Sequence, residues 1–210
     1  MFSGKGQINM GTLFGSAVYT ICSNAAVKNI IEVGTWNGQG STVCVMNAII
    51  NKPTSKLFSL EADSVQYKKA VQFWSEHNTH GKLELINGVL HTEYASEDEI
   101  KSSCSGTIPY INEHYIPEMT MLMTNTIVNT DNIQDIDVII LDGGEYTSYG
   151  DFKVLMKKQP KVIMLDDVSV FKCKKIRAEL LANSEWVLHK ENLQDRHGWS
   201  IFVHTSFTGL

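Results

Sequence analysis

The sequence is poor in cysteine, carries no basic excess, and contains no long hydrophobic run. Its four cysteines, Cys22, Cys44, Cys104 and Cys173, are scattered, with no CxxC pair and no histidine at zinc-ligand spacing. A zinc module is therefore excluded, and although disulfides remain open, a reducing cytoplasmic setting is the simpler expectation. Acidic residues outnumber basic ones by 23 to 18, giving a formal net charge of −5. That balance argues against a polyanionic partner, so no nucleic acid is expected. The nearest approach to a basic cluster is Lys172, Lys174, Lys175 and Arg177, which falls on a predicted helix and reads as a solvated flank. No apolar stretch approaches membrane length, and glycine and polar residues interrupt the apolar positions near the N-terminus. Neither a membrane span nor a signal peptide is expected. What is there suits one ordinary globular domain: 210 residues, 43% hydrophobic and 20% charged.

From Lys28 onward, apolar β-rich runs alternate with stretches of helical period. KNIIEVG (28–34), KLFSLEA (56–62), KLELING (82–88), DIDVIILDGG (135–144) and PKVIMLDDV (160–168) read as strands. The fourth is apolar on both faces, as a central parallel strand must be. Between them, GSTVCVMNAII (40–50) reads as a helix, and Asp63–Ser64 can cap a helix with Tyr67, Ala70, Val71 and Trp74 on one face. SYGDFKVLMKK (148–158) gives the stripe Tyr149, Phe152 and Leu155. A further helix, which Ser169 can cap, carries Cys173, Ile176, Leu180 and Leu181. EWVLHKE (185–191) and GWSIFVHT (198–205), joined through Asp195–Gly198, read as an antiparallel hairpin. Upstream, Phe14, Val18, Ile21 and Ala25 repeat at helical spacing within an N-terminal segment, 1–27. The expectation is an α/β, doubly wound, Rossmann-like sheet of seven strands, mostly parallel with an antiparallel C-terminal hairpin strand. One stretch, 89–134, breaks the rhythm with Pro109, Pro117 and a Tyr/Met-rich run from Tyr110 to Met123. A connection of that length reads as a lid or substrate-binding insertion within a single domain spanning 1–210.

The turn after the first strand is the strongest functional signal. In EVGTWNGQGS (32–41), glycines at 34, 38 and 40 let the backbone turn sharply and approach a ligand. The helix that follows directs free N–H groups into the same space. A dinucleotide fingerprint would read GxGxxG, whereas this spacing is Gly34-x3-Gly38-x-Gly40, which disfavours a nicotinamide oxidoreductase. Glu61 ends the second strand, where a carboxylate can accept both ribose hydroxyls of a nucleoside lying across the sheet. Candidate cofactor-binding residues are thus Glu32, Gly34, Thr35, Trp36, Asn37, Gly38, Ser41, Glu61, Ala62 and Asp142. Asn87 and Gly88, ending the third strand, stand where an adenine edge would be read.

Asp142 ends the fourth strand, and Asp166 with Asp167 end the fifth. Adjacent strands would bring three carboxylates together, and such a cluster needs a cation, a shared proton or water between its members. Oxygen ligands without His or Cys favour Mg²⁺, with Mn²⁺ or Ca²⁺ as alternatives, so Asp142, Asp166 and Asp167 form the candidate metal site.

In order and spacing, IEVGTWNGQGS, LDGGEYTSYGDF, MLDDV and RHGWSIF resemble the S-adenosylmethionine-dependent, metal-assisted O-methyltransferases. The resemblance is closest to the macrocin and aminocoumarin sugar type, which includes the cephalosporin hydroxylase-like proteins, and covers roughly residues 28–202. It implies S-adenosylmethionine and Mg²⁺ as cofactors, a small-molecule or sugar hydroxyl as acceptor, and Asp142, Asp166 and Asp167 as metal ligands. Relatives of this type often associate, which leaves a homo-oligomer open. Where the family reads D-G-x-H, this chain has Asp142-Gly-Gly-Glu145, so Glu145 replaces the histidine base. Glu145 with Asp142 is then the candidate catalytic pair, and His91 is the reserve proton acceptor. The Glu145 departure also keeps open a catalytically degenerate, ligand-binding protein.

Overall fold

A computed structural model of the chain describes residues 1–103, 113 and 115–209. Helix α1 (Leu13–Ser23) precedes β1 (Asn29–Val33), which is followed by α2 (Ser41–Ile49), β2 (Lys56–Glu61), α3 (Ser64–Ser75) and β3 (Leu83–Asn87). Two helices, α4 (Glu97–Ser103) and α5 (Ile116–Thr124), precede β4 (Ile136–Leu141). The chain continues through α6 (Ser148–Met156), β5 (Val162–Asp166) and α7 (Phe171–Ala182), and finishes with β6 (Trp186–Asn192) and β7 (Trp199–His204).

The strands form one seven-stranded sheet in the order β3-β2-β1-β4-β5-β7-β6. All neighbours are parallel except β7, which runs antiparallel to both β5 and β6. The expected doubly wound sheet with its C-terminal hairpin is therefore present. Chain order reverses between β1 and β4, and the crevice outside their carboxyl ends is the topological switch point.

Successive strand residues point to opposite faces, and both faces are covered. Ile30, Val138, Ile140 and Met164 pack with the apolar sides of α1 and α2. Ile31, Ile139, Leu141, Ile163 and Leu165 pack against α6 and α7. Coverage on both sides is why β4 and β5 are buried at every residue and read as unbroken apolar runs.

Several local expectations shift. Asp63 caps α3, its Oδ1 accepting the N–H of Val65 at 2.7 Å and of Gln66 at 3.2 Å. Only Ala70 and Trp74 of the expected stripe are buried there, with Val71 on the exposed side. Helix α1 ends at Ser23, so Ala25 lies beyond it, and Ala17 and Cys22 join Phe14, Val18 and Ile21 on the buried face. Ser169 does not cap α7. The N-cap is Val170, with no side-chain cap, and the Ser169 N–H is donated to the His197 carbonyl at 2.8 Å. Leu181 is exposed, while Cys173, Ile176 and Leu180 are buried.

Cys22, Cys44 and Cys173 are free, buried thiols, and burial pushes that of Cys44 up to about 12. Cys104, Pro109 and Tyr110 lie outside the described residues. Among the described residues, no helix is long and apolar enough to cross a membrane.

The described parts of the 89–134 segment fold back over the carboxyl ends of the strands. Val89 pairs with the strand-like stretch after α5, its N–H donating to Thr126 O at 3.0 Å and its carbonyl accepting from Val128 at 2.8 Å. Ile100 and Tyr115 form a small apolar cluster with Tyr146, and Phe171 packs against it. The segment is thereby tied to the loops after β4 and β5, beside the crevice.

Candidate functional site at the switch point of the sheet

The chain leaves β1 at Gly34, whose φ is +98°. A Cβ there would overlap the Asp142 carbonyl, because β1 and β4 are neighbours and their ends converge. Only glycine meets both conditions. The N–H groups of Gly34 and Thr35 donate to the Leu60 carbonyl at 3.0 and 3.1 Å, and the Thr35 hydroxyl lies 2.6 Å from that of Ser59. Trp36 is left-handed at φ 52° with its indole exposed, an uncommon state for a bulky residue and one held here by the surrounding loop. Helix α2 then begins after Gly40 with no side-chain cap. Its first N–H groups, and the partial positive charge they carry, open on the crevice.

The crevice is about 470 Å³, within the range of small-molecule sites. Gly34, Thr35, Trp36, Asn37, Ser41, Glu61 and Asp142 all line it. Three other expected residues serve it from behind. Gly38 accepts the Trp74 indole N–H at 3.0 Å, which fixes the loop to α3. Glu32 is fully buried beneath the loop, accepting the hydroxyls of Thr42 at 2.7 Å and Ser59 at 2.5 Å, and burial raises its carboxyl pKa. Asn87 turns its amide onto the carbonyls of Glu61 and Ala62 at 2.7 and 3.4 Å, bracing the end of β2. Ala62 and Gly88 instead line a smaller cavity of about 100 Å³ with Met121 and Leu122 of α5.

Glu61 is nearly buried, and its two oxygens accept the N–H groups of Trp36 at 2.6 Å and Asp63 at 2.8 Å. Burial pushes its pKa up to about 7 against these hydrogen bonds. A carboxylate offers about four lone-pair sites, so two remain for a ligand.

The acidic cluster forms: one oxygen from each of Asp142, Asp166 and Asp167 lies within 4.8 Å of the others. It also holds cations supplied by the chain. Lys172 Nζ stands 2.9 Å from Asp142 Oδ1 and 2.7 Å from Asp167 Oδ2. Arg196 lies 3.0 Å from Asp166 Oδ2 and 3.6 Å from Asp167 Oδ1. Lys172 is thus no solvated flank. Its side chain is 11% exposed, and the facing carboxylates raise its pKa despite burial. Asp166 is pushed up to about 7 by burial and by its two acidic neighbours. The donor set matches that of a hard cation, but an ion at these oxygens would meet the Lys172 ammonium. As folded, the cluster does not fit both.

A second cavity of about 770 Å³ lies on the far side of Lys172, between α4, α6 and α7. Tyr94, Tyr146, Tyr149 and Phe171 give it aromatic walls, and Glu145 lines it beside Lys172. Lys172 is the one described residue bordering both this cavity and the crevice. Burial raises the Glu145 pKa, with Lys172 pulling the other way. His91, the reserve proton acceptor, borders neither space. Its Nδ1 accepts the Glu93 N–H at 2.9 Å, and its Nε2 lies 3.1 Å from the Thr147 carbonyl and 3.2 Å from Asp151 Oδ1. One ring nitrogen is spent on its own turn at Glu93, and the other on the β4–α6 loop at Thr147 and on Asp151.

Four contributors are missing from the sequence reading. Residues Lys5–Ile8 line the crevice as a strap, with the Gly6 N–H on the Gln39 carbonyl at 3.0 Å. Glu118 of α5 accepts the N–H groups of Glu145 at 3.1 Å and Tyr146 at 3.0 Å, and the Thr147 hydroxyl at 3.3 Å. Lys172 and Arg196 complete the set. Lys172 left a trace in the sequence, as a lysine in the first turn of a helix, where the macrodipole disfavours it, and Arg196 stands in the RHGWSIF motif with no role assigned to it there.

No known family's sequence profile matches the chain, and no curated protein matches it in sequence. Solved structures do match. An O-methyltransferase from Bacillus cereus in complex with S-adenosylhomocysteine superposes with a TM-score of 0.62 at 15% identity, over 95% of this chain and 84% of that one. The O-methyltransferase TomG from Streptomyces achromogenes, involved in tomaymycin synthesis and solved with S-adenosylmethionine, gives 0.60 at 14% identity, over 91% and 79%. A methyltransferase from Geobacter sulfurreducens gives 0.59 at 10% identity, over 91% and 78%. The chain has the fold of the class I O-methyltransferases.

Proposed function

We propose that the protein transfers a methyl group from S-adenosylmethionine to a hydroxyl of a small molecule or sugar. One arrangement carries this reading: a nucleoside-sized crevice at the switch point, with Glu61 inside it, separated by Lys172 from a larger aromatic cavity that Glu145 lines. The structural neighbours solved with S-adenosylmethionine or S-adenosylhomocysteine support it.

In this reading the two free lone-pair sites of Glu61 accept the ribose hydroxyls. The purine lies towards Ala62, Gly88 and the apolar side of α5. The amino-acid end of the donor meets the uncapped start of α2, whose N–H groups suit a carboxylate. The sulfonium lies towards Asp142, the carboxylate of the crevice that is shared with Lys172. The acceptor oxygen attacks the methyl carbon in line, the carbon–sulfur bond breaks with its electron pair left on sulfur, and S-adenosylhomocysteine departs. Glu145 takes the acceptor's proton, and burial makes it a stronger base than an ordinary carboxylate. Alignment of the two reactants supplies most of the acceleration, roughly 7–11 kcal/mol in well-oriented systems. Bound Mg²⁺ would polarise the acceptor hydroxyl from Asp142, Asp166 and Asp167. Those oxygens are already engaged by Lys172 and Arg196, so no step here runs through the metal.

The test is release of S-adenosylhomocysteine over a panel of polyol, sugar and phenol acceptors. Turnover on at least one class supports the reading. Tight cofactor binding with no turnover on any acceptor would make this a ligand-binding protein that has kept the fold and lost the chemistry.

A further inference from the structure

Lys172 is costly where it stands. It lies in the first turn of α7, at the positive end of a helix with no acidic residue in that turn and no side-chain cap. Its ammonium is also withdrawn from solvent, with the side chain 11% exposed. Both penalties are offset by one feature, its contacts of 2.9 Å to Asp142 and 2.7 Å to Asp167. Those lengths are typical of charge-assisted hydrogen bonds. Arg196 neutralises the remaining carboxylate from the turn between β6 and β7. Two cations of the chain thereby face three carboxylates that would otherwise repel one another.

We propose that Lys172 stands in the place of the divalent cation, so that this site works without a metal. The inference rests on the methyltransferase reading for its chemistry, while the occupancy of the site can be tested independently. An ammonium has three N–H donors. Asp142 and Asp167 take two, and the third is available to an acceptor oxygen at the boundary between the crevice and the aromatic cavity. A metal chelates two vicinal oxygens, whereas a single N–H contacts one. The acceptor class is therefore a molecule presenting one reacting hydroxyl, with no requirement for a neighbouring one. The lysine keeps its proton throughout. It orients the acceptor oxygen and stabilises negative charge developing there, while Glu145 receives the acceptor's proton.

The experiment titrates Mn²⁺ into the full-length protein without other ligands, following the metal by paramagnetic resonance and protein stability by thermal melting. The wild type is expected to show no saturable site. Lys172→Ala is expected to gain one saturable Mn²⁺ site, at least about 100-fold tighter than any residual wild-type association, as removal of a like charge in direct contact implies. Its melting temperature should rise with the metal, and Asp166→Asn in the Lys172→Ala background should abolish both effects. One-to-one Mn²⁺ binding by the wild type that is lost in Asp166→Asn would overturn the proposal. So would a folded Lys172→Ala protein that fails to gain a site. Where Lys172→Ala does not fold, Lys172→Gln and the wild-type titration decide. In a second arm, methyl transfer should persist in a chelator. Complete absence of transfer would count against the methyltransferase reading and leave the Mn²⁺ result standing.

Discussion

Replacing Glu118 by glutamine separates two opposing effects of a buried carboxylate. Glu118 reaches from α5 to the loop after β4 and accepts the N–H groups of Glu145 and Tyr146 together with the Thr147 hydroxyl. Those bonds favour the ionised form, but burial disfavours it more strongly and pushes the pKa from 4.5 up to about 7. The folded protein therefore holds this proton more tightly than the unfolded chain. The stability it contributes is full below pH 4.5 and is lost as pH rises through 7. Between pH 5 and pH 8 the linkage relation gives a loss of about 2.5 kcal/mol for a fully enclosed group. Solvent screening of this partly exposed side chain reduces that to about 1–2 kcal/mol. Glutamine keeps the size and an acceptor oxygen without the charge. Urea unfolding of both proteins should show the difference moving in favour of Glu118→Gln by that amount between the two pH values, with unchanged slopes. A difference independent of pH, or a wild-type advantage growing with pH, would refute the reasoning. It would mean that the loop's donors outweigh the cost of burying the charge.

Gly34→Ala combines a left-handed residue with an overlap at the Asp142 carbonyl. It should lower stability by more than the roughly 1–2 kcal/mol that the backbone alone costs, read by thermal melting. Glu61→Gln should weaken S-adenosylhomocysteine binding by about 10–100-fold, since a hydrogen bond to a charged group contributes about 1.5–3 kcal/mol. Calorimetry showing wild-type affinity would remove Glu61 from the ribose role. Glu145→Gln should lower kcat by about 10²–10⁴ with little change in KM. Because burial raises its pKa, the wild-type rate should fall on the acid side at a higher pH than an ordinary carboxylate gives, and the variant should lose that limb.

The strand pattern was legible because β4 and β5 are covered on both faces and therefore apolar at every position. The crevice was legible through Gly34, whose identity is forced by backbone geometry, and through Glu61 at the end of its neighbouring strand. Adjacency of β4 and β5 brought Asp142, Asp166 and Asp167 together as their positions at strand ends implied. Lys172 was misread because a lysine among lysines on a helix resembles a solvated face. Only the fold reveals that this one turns inward while Lys174 and Lys175 turn out. Glu118 and the Lys5–Ile8 strap act across long sequence separations, on the loop at 145–147 and on Gln39, and no local spacing encodes such contacts. Asn87 was placed at the right strand end, but its side-chain direction depends on the free carbonyls of Glu61 and Ala62.

The measurement that bears most directly on the account is calorimetric titration of the purified protein with S-adenosylhomocysteine and, separately, with NAD. The account predicts saturable one-to-one binding of S-adenosylhomocysteine that Glu61→Gln weakens, and no binding of NAD. Binding of NAD alone would contradict it.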